Sequence, residues 1–325
     1  MRLFVYFLLI SWIAVPGLLR AQSFTFLPEN TFRFSYEYNK NSRSRMFVDT
    51  DKRTSILSYE LDHEGLGADT VNGTIQYETL ENKLVVQAGL TSSINVGLGF
   101  PSIKRTRKSN IEATNASDMN VNAFVNSRKN NEQSDMGDRE FWFLWRANYT
   151  DIHDFQIGLN YNDNNGLFLL DESDELSLGS GARELTQFFR WIYYEQSSRL
   201  AVRMEASGSF TEATTVTDSS GNEVEMTRGN GLRASVHMSG EFGIFRLGGE
   251  IKAESFSPLI VDGVDQSDGY LGYSYRLDLN LGNINMLEEG PLLLPWEVDF
   301  YVRNRFWGVN APGDEEMGAM LSLYF

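Results

Sequence analysis

The sequence predicts an all-β fold, a transmembrane antiparallel β-barrel of about 14 strands, with 12 as the alternative count. Three observations point there. Apolar and aromatic residues alternate with polar ones in segment after segment. The connections between these segments alternate between short and long. Beyond the N-terminal segment, no apolar run approaches the roughly 20 residues that a membrane-spanning helix needs. Composition agrees: aromatics make up 13% of the chain and are spread along it, and 28 Gly stand against 7 Pro.

Residues 1–21 read as a signal peptide. Arg2 supplies the positive start, Leu3–Leu19 the apolar run, and Pro16-Gly17 a break ahead of the small residue Ala21. Cleavage there leaves residues 22–30 as a short periplasmic segment before a barrel over 31–325. Cysteine is absent, which excludes a lipoprotein anchor and a disulfide scaffold; a closed barrel satisfies its own backbone and needs neither. The formal net charge of -16 argues against a nucleic-acid partner.

The first strand, near 31–39, places Phe32, Phe34, Tyr36 and Tyr38 on one face and Arg33, Ser35, Glu37 and Asn39 on the other. Further strands are expected near 53–62, 71–80, 83–90, 94–104, 139–149, 155–163, 185–194, 199–210 and 230–239, then 244–256, 269–282, 295–307 and 316–325. The alternation is plain in Phe155–Asn162, Leu200–Ser207, Leu232–Ser239 and Leu271–Asn280. The pair at 71–80 and 83–90 is joined by almost nothing. If the two merge or stay outside the wall, the barrel has twelve strands. A soluble β-sandwich also alternates. The number of full charges on the polar faces and the loop asymmetry favour the barrel.

Short connections fall at Thr91–Ser93, Thr150–Asp154, Glu195–Ser198 and Gly240–Gly243. Long polar ones fall at Arg105–Asp138, Asp163–Glu184, Thr211–Gly229 and Ser257–Asp268. That is the topology of bacterial outer-membrane barrels, short turns inside and long loops outside, with both termini periplasmic. Asn283–Pro295 is the exception, a longer periplasmic connection. Within Arg105–Asp138, the apolar Ala123–Val125 suits an inward fold. The last segment alternates Met317, Ala319, Leu321, Leu323 and Phe325 on one face. A terminal aromatic on such a strand resembles the signal read by the barrel-assembly machinery, which makes Phe325 the expected assembly signal.

Three stretches carry a family resemblance: Ala88–Lys104 (AGLTSSINVGLGFPSIK), Gly137–Tyr149 (GDREFWFLWRANY) and Leu176–Arg183 (LSLGSGAR). The order Gly-Leu-Thr, Gly-Asp, Gly-Ser-Gly-Ala ahead of an aromatic strand resembles the transporter family linked to meta-pathway phenol degradation, distant relatives of FadL-type channels. The resemblance implies an outer-membrane transporter of small, including hydrophobic, molecules. Residues 22–30 are much shorter than the N-terminal plug of FadL-type channels.

The polar strand faces supply the candidate site. Alternation directs Arg33, Glu37, Arg146, Arg190, Arg203, Glu205, Arg233, His237 and Arg246 to the lumen. It does the same for Glu250, Lys252, Glu254, Arg276, Asp278, Glu297, Asp299, Arg303 and Arg305. Such residues either line an aqueous pathway with a built-in field or pair off and fill a narrow interior. No catalytic residue is assigned. Ser235 and Ser239 flank His237, yet side chains at that spacing diverge along a strand, and a Ser-His-Asp site needs convergence. No metal or other cofactor is expected: the loop acids Asp171, Glu172, Asp174 and Glu175, and Asp262, Asp265 and Asp268, match no EF-hand spacing. Trp142, Trp145, Trp191, Trp296 and Trp307 suit interfacial girdles or wall packing. The expected function is passive uptake of small molecules through an outer-membrane channel, with lipid and the assembly machinery as partners. A structural or surface-interaction barrel with a filled lumen is the alternative, and a barrel hydrolase a distant third.

Overall fold

The computed structural model describes residues 26–49, 52–114, 118–166, 176–177, 180–195, 198–217, 222–265, 269–283 and 295–325. The signal segment 1–21, and Asp171, Glu172, Asp174, Glu175 and Asp268, lie outside the described residues. In chain order the elements are β1 (Phe32–Asp49), β2 (Lys52–Ser55), α1 (Ile56–His63), β3 (Val71–Thr91), β4 (Ile94–Ala113), α2 (Met119–Ser127) and β5 (Asn131–Met136). There follow β6 (Glu140–Tyr149), β7 (His153–Asn162), β8 (Glu184–Glu195), β9 (Leu200–Thr211), β10 (Thr214–Thr217), β11 (Glu223–Thr227) and β12 (Gly231–Phe242). The chain continues through β13 (Phe245–Phe256), β14 (Ile260–Val261), β15 (Val264–Asp265), β16 (Tyr270–Gly282), β17 (Trp296–Val309) and β18 (Ala311–Tyr324).

The main sheet has 14 strands, and all its pairings are antiparallel. Twelve close a ring, sealed where β18 pairs with β1 from Arg33↔Tyr324 to Phe47↔Ala311; β2 and β5 attach outside the ring, to β1 and β4. The expected strands at 71–80 and 83–90 are one strand, β3. The polar run Glu81-Asn82-Lys83 resembles a turn, but Glu81 and Lys83 face the lumen and the outward Asn82 accepts the Tyr36 hydroxyl at 2.6 Å. The strand expected at 53–62 is mostly α1. Ser55 caps it by accepting the Ser58 amide at 3.1 Å, and Leu57 and Leu61, one turn apart, are buried. The strand expected near 94–104 runs on to Ala113 as β4. Pro101 sits where β4 exchanges its neighbour β6, paired up to Gly99, for β5, paired from Ser102; a missing N–H is tolerated at that break.

The outer wall is apolar. Phe34, Leu84, Phe189, Ile251, Leu277 and Val302 are all exposed on it, and in an all-antiparallel ring without a free edge such a surface belongs in lipid. A tilted strand needs about 9–11 residues to span the hydrocarbon. Most ring strands have 10–14, but β1, β3 and β4 have 18, 21 and 20 and overhang the end opposite the termini. The overhang has its own core. Val71, Ile75 and Ile111 on its inner face cluster with Ile56, Leu57 and Leu61 of α1 and with Val121 and Phe124 of α2. Glu60 ties the helices down, accepting from Arg128 Nε at 2.7 Å and the Tyr77 hydroxyl at 3.0 Å. Both helices therefore lean over one mouth of the barrel, and the apolar run around Ala123–Val125 is part of that anchor. A smaller sheet of β10, β11, β14 and β15 stands at the same end. Its turn holds Asp262, whose carboxylate accepts the Glu225 amide at 2.9 Å.

At the end that holds the termini, residues 26–31 turn into the barrel. Asn30 and Thr31 bond the backbone of Gly89, and a side chain at Gly89 would collide with the Pro28 carbonyl. Phe26 and Leu27 are buried, with the Arg146 guanidinium 4.0 Å above the Phe26 ring. Phe325 exchanges two backbone hydrogen bonds with Phe32 and packs edge-on against Phe34, centroids 5.5 Å apart.

Candidate functional site: the charged lumen

The ring register keeps the residues that alternation assigned to the polar face in phase from strand to strand, on the face opposite the exposed apolar side chains. Most are paired. Lys83 reaches Glu37 at 3.1 Å and Glu140 at 3.3 Å, Arg146 meets Asp154 at 2.9 Å, and Arg190 meets Glu205 at 2.7 Å. Arg246 bridges Glu297 at 2.9 Å and Asp299 at 3.9 Å. Glu254 takes Lys252 at 2.5 Å and also Arg305, which lies 3.5 Å from Asp314. Arg303 holds Glu316 at 3.1 Å and Glu250 at 4.0 Å. Arg276 lies over the Tyr301 ring at 4.0 Å, 3.9 Å from Asp278. Arg33 donates to Gln87 at 2.6 Å, and Arg233 to Ser209 at 3.2 Å. Apart from Lys252–Glu254 and Arg276–Asp278, two residues apart on one strand, these are cross-strand contacts, which no spacing within one segment reveals.

Glycines keep the largest inner side chains against the wall. Gly97 faces Trp142, Gly158 faces Phe188 and Gly318 faces Tyr301, each in register on the neighbouring strand. A Cβ at any of these glycines would overlap the facing ring. Each ring therefore lies flat over a notch instead of projecting into the lumen. Trp142 accordingly packs on the inner wall. Trp145 is exposed on the outer wall, Trp307 packs against Tyr273, and Trp191 stacks on His153 with centroids 5.8 Å apart.

His237 Nε2 points at Asp278 Oδ1, 2.9 Å away, crossing β13 above Gly248. That nitrogen is turned across the strands, not along its own strand toward Ser235 or Ser239. Lys83, Glu140, Asp154, Tyr301 and Glu316 also belong to the site and were not singled out by sequence reasoning. In β3 the alternation is blurred, since inward Val85 is apolar and outward Asn82 is polar. The Gly-Asp and Gly-Ser-Gly-Ala segments meet in space: the Asp138 carboxylate accepts the amides of Ser180 at 2.6 Å and Gly166 at 2.8 Å. Their role in this chain is to tie loops together at the helix-covered mouth.

No protein-family model matches the sequence, and no curated protein matches it. Among solved structures, an outer-membrane channel from Pseudomonas putida F1 superposes with a TM-score of 0.66 at 11% identity, covering 94% of this chain and 99% of that one. A FadL homologue of Pseudomonas aeruginosa superposes with a TM-score of 0.41 at 9% identity, covering 91% and 90%. The first likeness is one of fold, and the second is too distant to argue from. The expectation of an outer-membrane-type β-barrel is met at the level of the fold: the closed antiparallel ring superposes over nearly its whole length on that channel.

Proposed function

We propose that this chain is an outer-membrane channel for passive uptake of small molecules, hydrophobic ones included. One observation carries the reading: part of the inward-facing charge remains open to water. The side chains of Glu37, Glu205 and Arg276 keep 32%, 29% and 28% of their full exposure although they lie inside the ring. A dry, packed interior would bury such pairs at a large desolvation cost. The eighteen charged and titratable residues read from alternation are the proposed lining, with the flat-lying rings setting its width. The two leaning helices at one mouth and Phe26-Leu27 at the other narrow the path, which suits selective passage better than bulk leakage.

In this reading, residues 1–21 direct export and are removed, 22–30 stay periplasmic, and 31–325 form the barrel. Both termini are periplasmic, and the helices cover the outer mouth. The protein needs no cofactor and transforms no substrate; its partners are outer-membrane lipid and the passing solute. In planar bilayers the refolded protein is expected to show discrete single-channel steps. Folded, heat-modifiable barrel without conductance would replace this reading by that of a structural barrel with a filled lumen.

The barrel-assembly machinery is proposed to read Phe325. Deleting it, or replacing it with Asp, should leave export intact while heat-modifiable barrel in the membrane fraction falls severalfold. Undiminished assembly of either variant would assign Phe325 a merely structural part in packing on Phe34.

A further inference from the structure

We infer that Arg203 anchors a subsite for a small organic carboxylate inside the lumen; the inference rests on the channel reading above. Arg203 differs from the other lumen arginines. Among the described residues its guanidinium makes no hydrogen bond or ion pair, and its Nε is buried without a partner. The register explains why. Its neighbour on β8 is Ile192, apolar and fully buried, and its neighbour on β12 is His237, already turned to Asp278. Nearby carboxylates have closer cations. Glu205 is held by Arg190 Nε at 2.8 Å and Nη2 at 2.7 Å, and Glu250 lies beside Arg303.

The surroundings favour an incoming anion. Arg190 and Arg276 stand close enough to repel the charge of Arg203 and Glu205 and Glu250 close enough to attract it, but both carboxylates are already held by other arginines. A guanidinium cannot shed its proton to relieve this, and its planar fork matches a carboxylate. The seat is amphipathic. Its apolar side is Phe188, the ring flat over Gly158 and 5.0 Å from the Arg190 guanidinium, two inward positions along β8 from Ile192, the register partner of Arg203. An anion with a compact apolar body suits that pairing of fork and ring better than a bare halide does.

The test uses benzoate as probe and benzyl alcohol as its uncharged counterpart, titrated calorimetrically into the folded, detergent-solubilised barrel. Wild type is expected to bind benzoate measurably and benzyl alcohol at least about tenfold more weakly, the scale of a charge-assisted hydrogen-bonded contact. Arg203→Gln should weaken benzoate by a similar factor. Arg203→Lys, which keeps the charge and loses the fork, should fall between. Equal binding of the two probes by wild type, no benzoate binding, or undiminished binding by Arg203→Gln would each overturn the subsite. The wild-type comparison stands even if a variant fails to fold. Benzoate binding without bilayer conductance would sink the channel reading and leave the subsite; conductance without benzoate binding would do the reverse.

Discussion

Leu277→Arg is expected to lower the stability of the barrel in lipid vesicles by about 2–4 kcal/mol, the cost of a guanidinium on the lipid face near the bilayer midplane. Leu277 sits mid-strand in β16, exposed on the outer wall between Gly249 and Val302. The lumen-side control is Ser235→Arg, which places the same group inside the ring beside Glu205 and should cost far less. Asn280, which alternation alone offers as a tolerant lumen position, is unsuitable: it is buried, and its amide donates to both Glu297 and Asp299. Urea unfolding in vesicles measures the difference. A lipid-soluble quencher supplies the second readout, reaching a probe at Tyr275 or Leu277 but not at Arg276 or Asp278. Equal quenching of both sets would mean that the outer wall does not face lipid.

Arg246→Met should be comparably damaging from the inside. Arg246 is the cation bonded to Glu297, which is only 2% exposed, and it also faces Asp299. The Tyr324 hydroxyl and the Asn280 amide complete the shell of Glu297, the former at 2.6 Å. Without Arg246, two neighbouring carboxylates keep, among the described residues, the neutral donors Asn280 and Tyr324 as their direct bonds. Breaking a buried pair in this way costs about 3–5 kcal/mol. The double variant Arg246→Met/Glu297→Gln removes the stranded charge and should recover a substantial part of the loss. A single-variant effect below about 1 kcal/mol, the scale of an exposed pair, would show that water screens this end of the lumen.

Alternation alone was enough for the antiparallel barrel and for its two chemically different faces. The side-chain period of a strand is two and the surroundings differ on its two sides, so that information is local. It failed where one wall borrows the character of the other. Glu81-Asn82-Lys83 looked like a turn because the lumen accepts two of these residues and the Tyr36 hydroxyl satisfies the third. Residues 53–62 looked like a strand, although Leu57 and Leu61 repeat at helical spacing; the inner face of the β3–β4 overhang gives them somewhere to pack. Which charge pairs with which depends on ring register and on bulges such as that between Tyr273 and Ser274, and these are set by strands far apart in the chain. Arg203 is the clearest case. In sequence it is one more inward arginine, and only the closed ring, by giving each nearby carboxylate a closer cation, leaves its guanidinium without a partner.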